Sequence, residues 1–68
     1  MNPIYLIFQK DSHGGRRYLD MKGKWQARIF SCATNGTLTL TNSDRALELA
    51  QTLNAKALCV TLDGATVL

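Results

Sequence analysis

The sequence predicts an α+β fold of two layers, in which one helix packs on one face of an antiparallel sheet. Three observations lead to this prediction. A short segment with no polar residue at its centre opens the chain, two hairpin signals follow it, and one stretch of helical periodicity precedes a last apolar segment. The predicted order is β-β-β-β-α-β, with or without a short final strand, in a single domain spanning residues 1–68.

The first predicted strand and the loop after it come from two short stretches. Residues Ile4 to Gln9 are apolar on both faces of an extended chain, which is typical of a central strand. The next stretch, DSHGG at 11–15, is predicted to be a loop because its two glycines interrupt the pattern.

A hairpin is predicted around the three-residue loop MKG, residues 21–23, with its glycine in the left-handed conformation. In this register Asp20 lies opposite Lys24, and Leu19 lies opposite Trp25. A slip of one residue would scatter the apolar side chains over both faces of the sheet. The preferred register collects six of them on one face: Leu19, Trp25, Ala27, Ile29, Leu38 and Leu40.

A second hairpin is predicted at Asn35-Gly36, because both positions of a tight two-residue turn require a positive φ. This turn would pair Thr34 with Thr37 and Ala33 with Leu38. The fourth predicted strand is therefore TLTL, residues 37–40.

The helix is predicted to begin within 41–44, TNSD, which offers several N-cap residues and a capping box between Thr41 and Asp44. Asn54 is the predicted left-handed stop. Strands are predicted at 56–62 and, after an Asp-Gly turn, at 65–68. The predicted apolar stripe of the helix consists of Ala46, Leu47, Leu49, Ala50 and Leu53.

Positive charge is concentrated in the first half of the chain. Six of the eight Lys and Arg residues lie between positions 10 and 28 against two acidic residues, so this segment carries a net charge of +4. The residues from Ser43 onward carry a net charge of −1. Such an asymmetry is typical of a protein with one partner-facing side.

The sheet face opposite the helix is predicted to be uncovered, and it is the candidate binding surface. Cations and aromatic rings alternate there, and such residues contact phosphates and stack on bases. An antiparallel sheet also tolerates these residues on a merely solvated face, and a bulge near Phe30 would turn that ring inward. The candidate residues for binding nucleic acid or another partner are Arg16, Tyr18, Lys24, Gln26, Arg28 and Phe30.

The sequence favours a non-enzymatic protein without a catalytic residue, metal or cofactor. His13 is the only histidine and stands in a glycine-flanked loop, so a catalytic set or a tetrahedral metal site has no distant partners. Cys32 and Cys59 are interpreted as reduced thiols. The run IYLIF is too short to span a membrane, and no basic residue precedes it as in a secretory signal, so a cytoplasmic location is expected.

A first resemblance comes from GKWQARI at 23–29, together with the hairpin turn and the alanine-bearing helix after it. Over about residues 16–53 the chain resembles the arm-binding N-terminal domain of phage integrases. Those domains lay a three-stranded sheet in the DNA major groove. The resemblance implies that the DNA-facing residues of this chain are Arg16, Tyr18, Lys24, Gln26 and Arg28.

The whole chain also resembles small accessory proteins encoded by phages and prophages, through YLIF, RRYLDMKGKW, ARIF, DRALELAQTLNA and ALCVTL in that order. Some small phage proteins of this size block host defence complexes such as CRISPR effectors. The sequence therefore predicts a small binding module for nucleic acid, DNA in preference to RNA, in the host cytoplasm. The alternatives are an inhibitor that binds a host protein complex and an accessory domain without a discrete site. A monomer and a homodimer joined at an edge strand are both left open.

Overall fold

A computed structural model describes residues 3–29 and 36–68 of the chain. Its elements are β1 (Ile4–Lys10), β2 (Arg16–Leu19), β3 (Trp25–Gln26), α1 (Ser43–Thr52), β4 (Lys56–Thr61) and β5 (Gly64–Val67). The strands form one sheet in the order β3-β2-β1-β4-β5, and every neighbouring pair is antiparallel. The predicted α+β class, with one helix on an antiparallel sheet, is confirmed, and the short final strand is present.

The helix contacts the sheet through small residues. Ala46 and Ala50 of α1 pack with Ile7 of β1 and Ala57 of β4, and all four are at most 3% exposed. Because these contacts involve alanine side chains, the helix axis can lie close to the sheet. The predicted apolar stripe of the helix is too wide, since Leu47 and Leu53 are each 38% exposed.

A second apolar cluster lies on the other face of the sheet. Leu6, Phe8 and Leu58 are buried there, and Tyr18 and Val60 pack against them. Side chains on adjacent residues of a strand point to opposite faces, so the continuous apolar run of β1 serves both clusters. This explains why the first strand shows no polar alternation in the sequence.

Local hydrogen bonds define both ends of the helix. The side-chain oxygen of Asn42 accepts from the backbone N–H groups of Asp44 at 2.9 Å and Arg45 at 3.1 Å, so Asn42 is the N-cap among the predicted candidates. Asn54 has a φ of 53°, which confirms the left-handed stop. The N–H of Ala55 donates to the carbonyl of Ala50 at 2.7 Å, which closes a Schellman motif.

The hairpin predicted at 21–23 is confirmed in its register, with Leu19 opposite Trp25 and Gly23 at a φ of 83°. Its second strand is shorter than predicted, because β3 ends at Gln26. The expected inward positions of Ala27 and Ile29 are wrong, since both side chains are exposed, Ile29 by 55%.

A like-charge pair gives a physical reason for this early end. Since Tyr18 lies opposite Gln26, two further residues of pairing would place Arg28 directly opposite Arg16. Arg16 already lies opposite Lys10 of β1, so this further pairing would place three cations side by side across the sheet, and like charges directly opposite one another destabilise the ladder.

The fourth predicted strand, TLTL at 37–40, does not join the sheet as a strand. It makes two isolated antiparallel bridges, from Thr37 to Asp20 and from Leu40 to Tyr5. Because β1 and β2 themselves run antiparallel, a segment that is antiparallel to each of them must bend between its two bridges. Leu38 and Leu40 nevertheless pack into the helix-side core, as predicted. The predicted partners Ala33 and Thr34, and the turn residue Asn35, lie outside the described residues.

Candidate nucleic-acid interface

Three cations converge at one end of the sheet, on the face opposite the helix. Lys10 at the end of β1 lies directly opposite Arg16 at the start of β2, and Lys56 of β4 lies opposite Phe8. Directly opposite residues in a ladder share a face, with Cα atoms about 5 Å apart, and diagonal neighbours are about 7–8 Å apart. All three cationic side chains are exposed. We call Lys10, Arg16 and Lys56 the cationic corner.

No acidic side chain pairs with the cationic corner among residues 3–29 and 36–68. The nearest carboxylate in the sequence, Asp11, lies 3.9 Å from the Nε of Arg17, whose side chain points to the other face. One Asp11 oxygen also accepts from the N–H groups of His13 and Gly15, each at 2.9 Å. The charge of the cationic corner is therefore left for solvent ions or a ligand.

Arg16 and Tyr18 cover the ring of Phe8. The guanidinium carbon of Arg16 lies 4.5 Å from the ring centroid, and the Tyr18 ring lies 6.3 Å away at an interplanar angle of 46°. Phe8 is only 1% exposed and Tyr18 is half-buried. The cation–π contact orients Arg16 over the sheet, and the buried Phe8 ring offers no face on which a base could stack.

Asp20 is a buried hydrogen-bond acceptor at the other end of the same face. It is 5% exposed, and its carboxylate accepts from the N–H groups of Lys22 at 2.9 Å and Lys24 at 2.8 Å and from Nε2 of Gln26 at 3.0 Å. The Lys24 N–H bond, followed by the Gln26 bond, lowers the pKa of Asp20 below its ordinary value of 3.8, against the opposing effect of burial. The side-chain amide of Gln26 therefore donates to Asp20, while the side chain of Lys24 remains exposed.

The structure brings together only part of the predicted site. Arg16, Tyr18 and Gln26 lie on adjacent strands of one face, and Lys24 follows in the turn. Arg28 is exposed beyond the end of β3, so it does not lie on the sheet. Phe30 lies outside the described residues.

Lys10 and Lys56 were not among the site residues predicted from the sequence, although a repeated turn pattern could have indicated Lys10. DSHGG at 11–15 and DMKGK at 20–24 form the same five-residue turn. In each turn, the side chain of the aspartate at the first position accepts from the backbone N–H groups of the third and fifth residues. The glycine at the fourth position has a φ of 82° in the first turn and 83° in the second. A strand pair closed by the first turn places Lys10 opposite Arg16. Lys56 joins them only through the distant pairing of β1 with β4.

A shallow groove adjoins the cationic corner, between the end of the sheet and the segment that follows the helix. Its volume is about 360 Å³. It is lined by Phe8, Gln9, Lys10, Asn54, Ala55 and Lys56. Two corner lysines thus border a concave surface.

Residues 3–29 and 36–68 contain no group of three His, Cys, Asp or Glu side chains that could hold a metal ion. His13 is an exposed loop residue, and Cys59 is a half-buried free thiol. No helix within these two ranges has the length and apolar character that crossing a membrane requires.

Comparison with protein-family models, with curated proteins and with solved structures finds no match for this chain. Any functional conclusion therefore depends on the residues and their arrangement.

Proposed function

We propose that this protein is a non-enzymatic module that binds nucleic acid by contacting phosphates with the cationic corner, Lys10, Arg16 and Lys56. The observation that carries the proposal is the direct cross-strand pair of Lys10 and Arg16, which share one face without an acidic partner. Like charges opposite one another destabilise a sheet. A bound phosphate would attract both cations and so offset their repulsion, and its binding would release condensed counterions from the nucleic acid.

The rest of the predicted site extends this surface along β2. Arg16 and Asp20 are four residues apart, which corresponds to about 13 Å of strand. Lys24, whose carbonyl accepts from the Asp20 N–H at 2.8 Å, places a further cation at that distance from the corner. A backbone of phosphates crossing the face would meet cations at both ends, with Tyr18 and Gln26 between them.

The test is a titration of the protein with fluorescent single-stranded and double-stranded DNA and RNA at two salt concentrations. Lys10→Gln is the diagnostic variant, because Lys10 is exposed and its removal leaves the Arg16–Phe8 contact in place. Arg45→Gln is the matched control, since it removes the same charge from an exposed position on the helix layer. Lys24→Gln tests the far end of the face.

The expected result is micromolar, salt-sensitive binding, in which Lys10→Gln makes the negative slope of log affinity against log salt shallower by about one unit. Arg45→Gln should leave that slope unchanged. Equal losses in both variants would show that only net charge matters and would overturn the assignment to the corner. Absence of binding at low salt would overturn nucleic acid as the ligand and favour the alternative in which the protein binds a host protein complex.

A further inference from the structure

The strand β5 leaves one edge of the sheet open. Its four residues, Gly64–Val67, are all exposed, and no described strand pairs with its outer side. Natural edge strands are usually protected by a charge, a proline, a bulge or a covering loop. The sequence GATV contains no charge and no proline; Leu62, 80% exposed, and Asp63 form the turn before it, and Leu68, 48% exposed, follows it directly.

The hydrogen bonds of the hairpin determine which backbone groups this edge presents. The N–H of Leu68 donates to the carbonyl of Ala57 at 3.0 Å, so Leu68 directs its backbone groups toward β4. Backbone groups alternate in direction along a strand. Thr66 therefore also faces β4, while Ala65 and Val67 direct their N–H and C=O groups away from the sheet.

We infer that the β5 edge binds the β5 edge of a second copy of this chain, antiparallel, about a two-fold axis at Thr66. In this register Ala65 of each copy pairs with Val67 of the other, and the four outward groups of each copy make four hydrogen bonds in total. Thr66 then lies opposite Thr66 of the second copy, which is a favourable cross-strand pair. The edge is thus complementary to itself, as a two-fold interface requires.

The distribution of charge and apolar surface favours a second copy as the occupant. The β4–β5 hairpin carries only Lys56 and Asp63, which are opposite in sign and lie at its two ends. No like charges therefore meet at the junction. On the face opposite the helix, Val67 lies beside the buried Leu58 and is itself 41% exposed, so a second copy would extend the apolar cluster across the two-fold axis.

The size of the edge predicts a weak association. Four residues of strand span about 13 Å. An edge of this length offers far less surface than the area of about 800 Å² that each partner buries in a standard interface, so a concentration-dependent dimer is expected rather than a permanent one. This inference is independent of the proposed nucleic-acid binding.

Sedimentation equilibrium over a range of protein concentrations tests the inference. The wild-type mass should rise from 7.5 kDa toward twice that value. Ala65→Pro removes an N–H that points outward, so it should weaken self-association at least tenfold and leave the hairpin bonds intact. Leu62→Lys, which removes the most exposed leucine outside the ladder, should dimerise like the wild type. A wild type that stays monomeric at millimolar concentration, or an Ala65→Pro variant that dimerises equally, would overturn the inference.

Amide hydrogen exchange of the wild type is a second test of this self-association, and it does not depend on whether a variant folds. Protection at Ala65 and Val67 should increase with protein concentration, because their N–H groups become bonded only in the dimer. Thr66 and Leu68 should change far less, since their N–H groups face β4 in either state. A uniform increase along β5, or no increase at Ala65 and Val67, would refute the proposed register.

Discussion

Ile7 is the central contact between the helix and the sheet, and shortening its side chain by one carbon tests how closely the two layers pack. The side chain is 0% exposed, and its core neighbours include Ala46, Ala50 and Ala57. Loss of one buried methylene costs about 0.8 kcal/mol in transfer free energy. Alanine methyl groups cannot rotate into the vacated space, so a cavity term adds to this cost. Ile7→Val should therefore lower the free energy of unfolding by about 1.3 kcal/mol, near the top of the usual range.

Urea and thermal unfolding followed by far-UV circular dichroism would measure this change. A domain of this length has a total stability of about 3–10 kcal/mol, and 1.3 kcal/mol corresponds to a fall in Tm of about 5–10 °C. Leu62→Val is the matched control, because it removes one carbon from a side chain that is 80% exposed. The control should lie within about 0.5 kcal/mol of the wild type. Equal losses in the two variants would refute the close packing of helix on sheet.

Two further predictions concern polar groups. The pKa of Asp20 is lowered, chiefly by the Lys24 N–H, so its stabilisation is present at neutral pH and is lost as the pH falls below its ordinary value of 3.8. Asp20→Asn should therefore make the midpoint of urea unfolding depend less on pH between about pH 5 and pH 2. Parallel curves of midpoint against pH for the wild type and the variant would contradict this. Asn42→Ala should lower stability by about 1 kcal/mol in thermal unfolding, because two amide groups of the first helical turn lose their acceptor. Asn42→Asp, which keeps an acceptor at the positive end of the helix, should not lower it.

Local chemistry made part of the fold predictable from the sequence. The turn at 21–23 was predictable because a glycine must supply its positive φ, and the alternation of apolar residues then determined the register. The left-handed stop at Asn54 followed from the same kind of argument. These features depend on a few adjacent residues, so the sequence specifies them directly.

Contacts between distant segments were less predictable. The pattern of TLTL is that of a strand, but its neighbours are Tyr5 in β1 and Asp20 directly after β2, and these two strands run in opposite directions. Local alternation cannot show that a segment bends between two such bridges. The early end of β3 required a comparison of Arg16 with Arg28, which a search for apolar alternation does not make.

The candidate site shows the same division. Arg16, Tyr18 and Gln26 were placed on one face by a short-range hairpin register. Lys56 reaches that face only because β4 pairs with β1, almost fifty residues away in the sequence. No local pattern encodes that proximity, so the basic face predicted from the sequence did not include Lys56.

The pairing of the central strand β1 with β4 also affects the order of folding. Ile4 to Phe8 must remain without their β4 partners, Lys56 to Val60, until most of the chain has left the ribosome. Contacts of such long sequence separation slow folding, because the loop-closure entropy is lost before the contacts form. During that interval the apolar run IYLIF, which contains no charge, is a segment prone to aggregation in the nascent chain. We therefore expect chaperones to bind the nascent chain early, and we expect the sheet to form late and cooperatively.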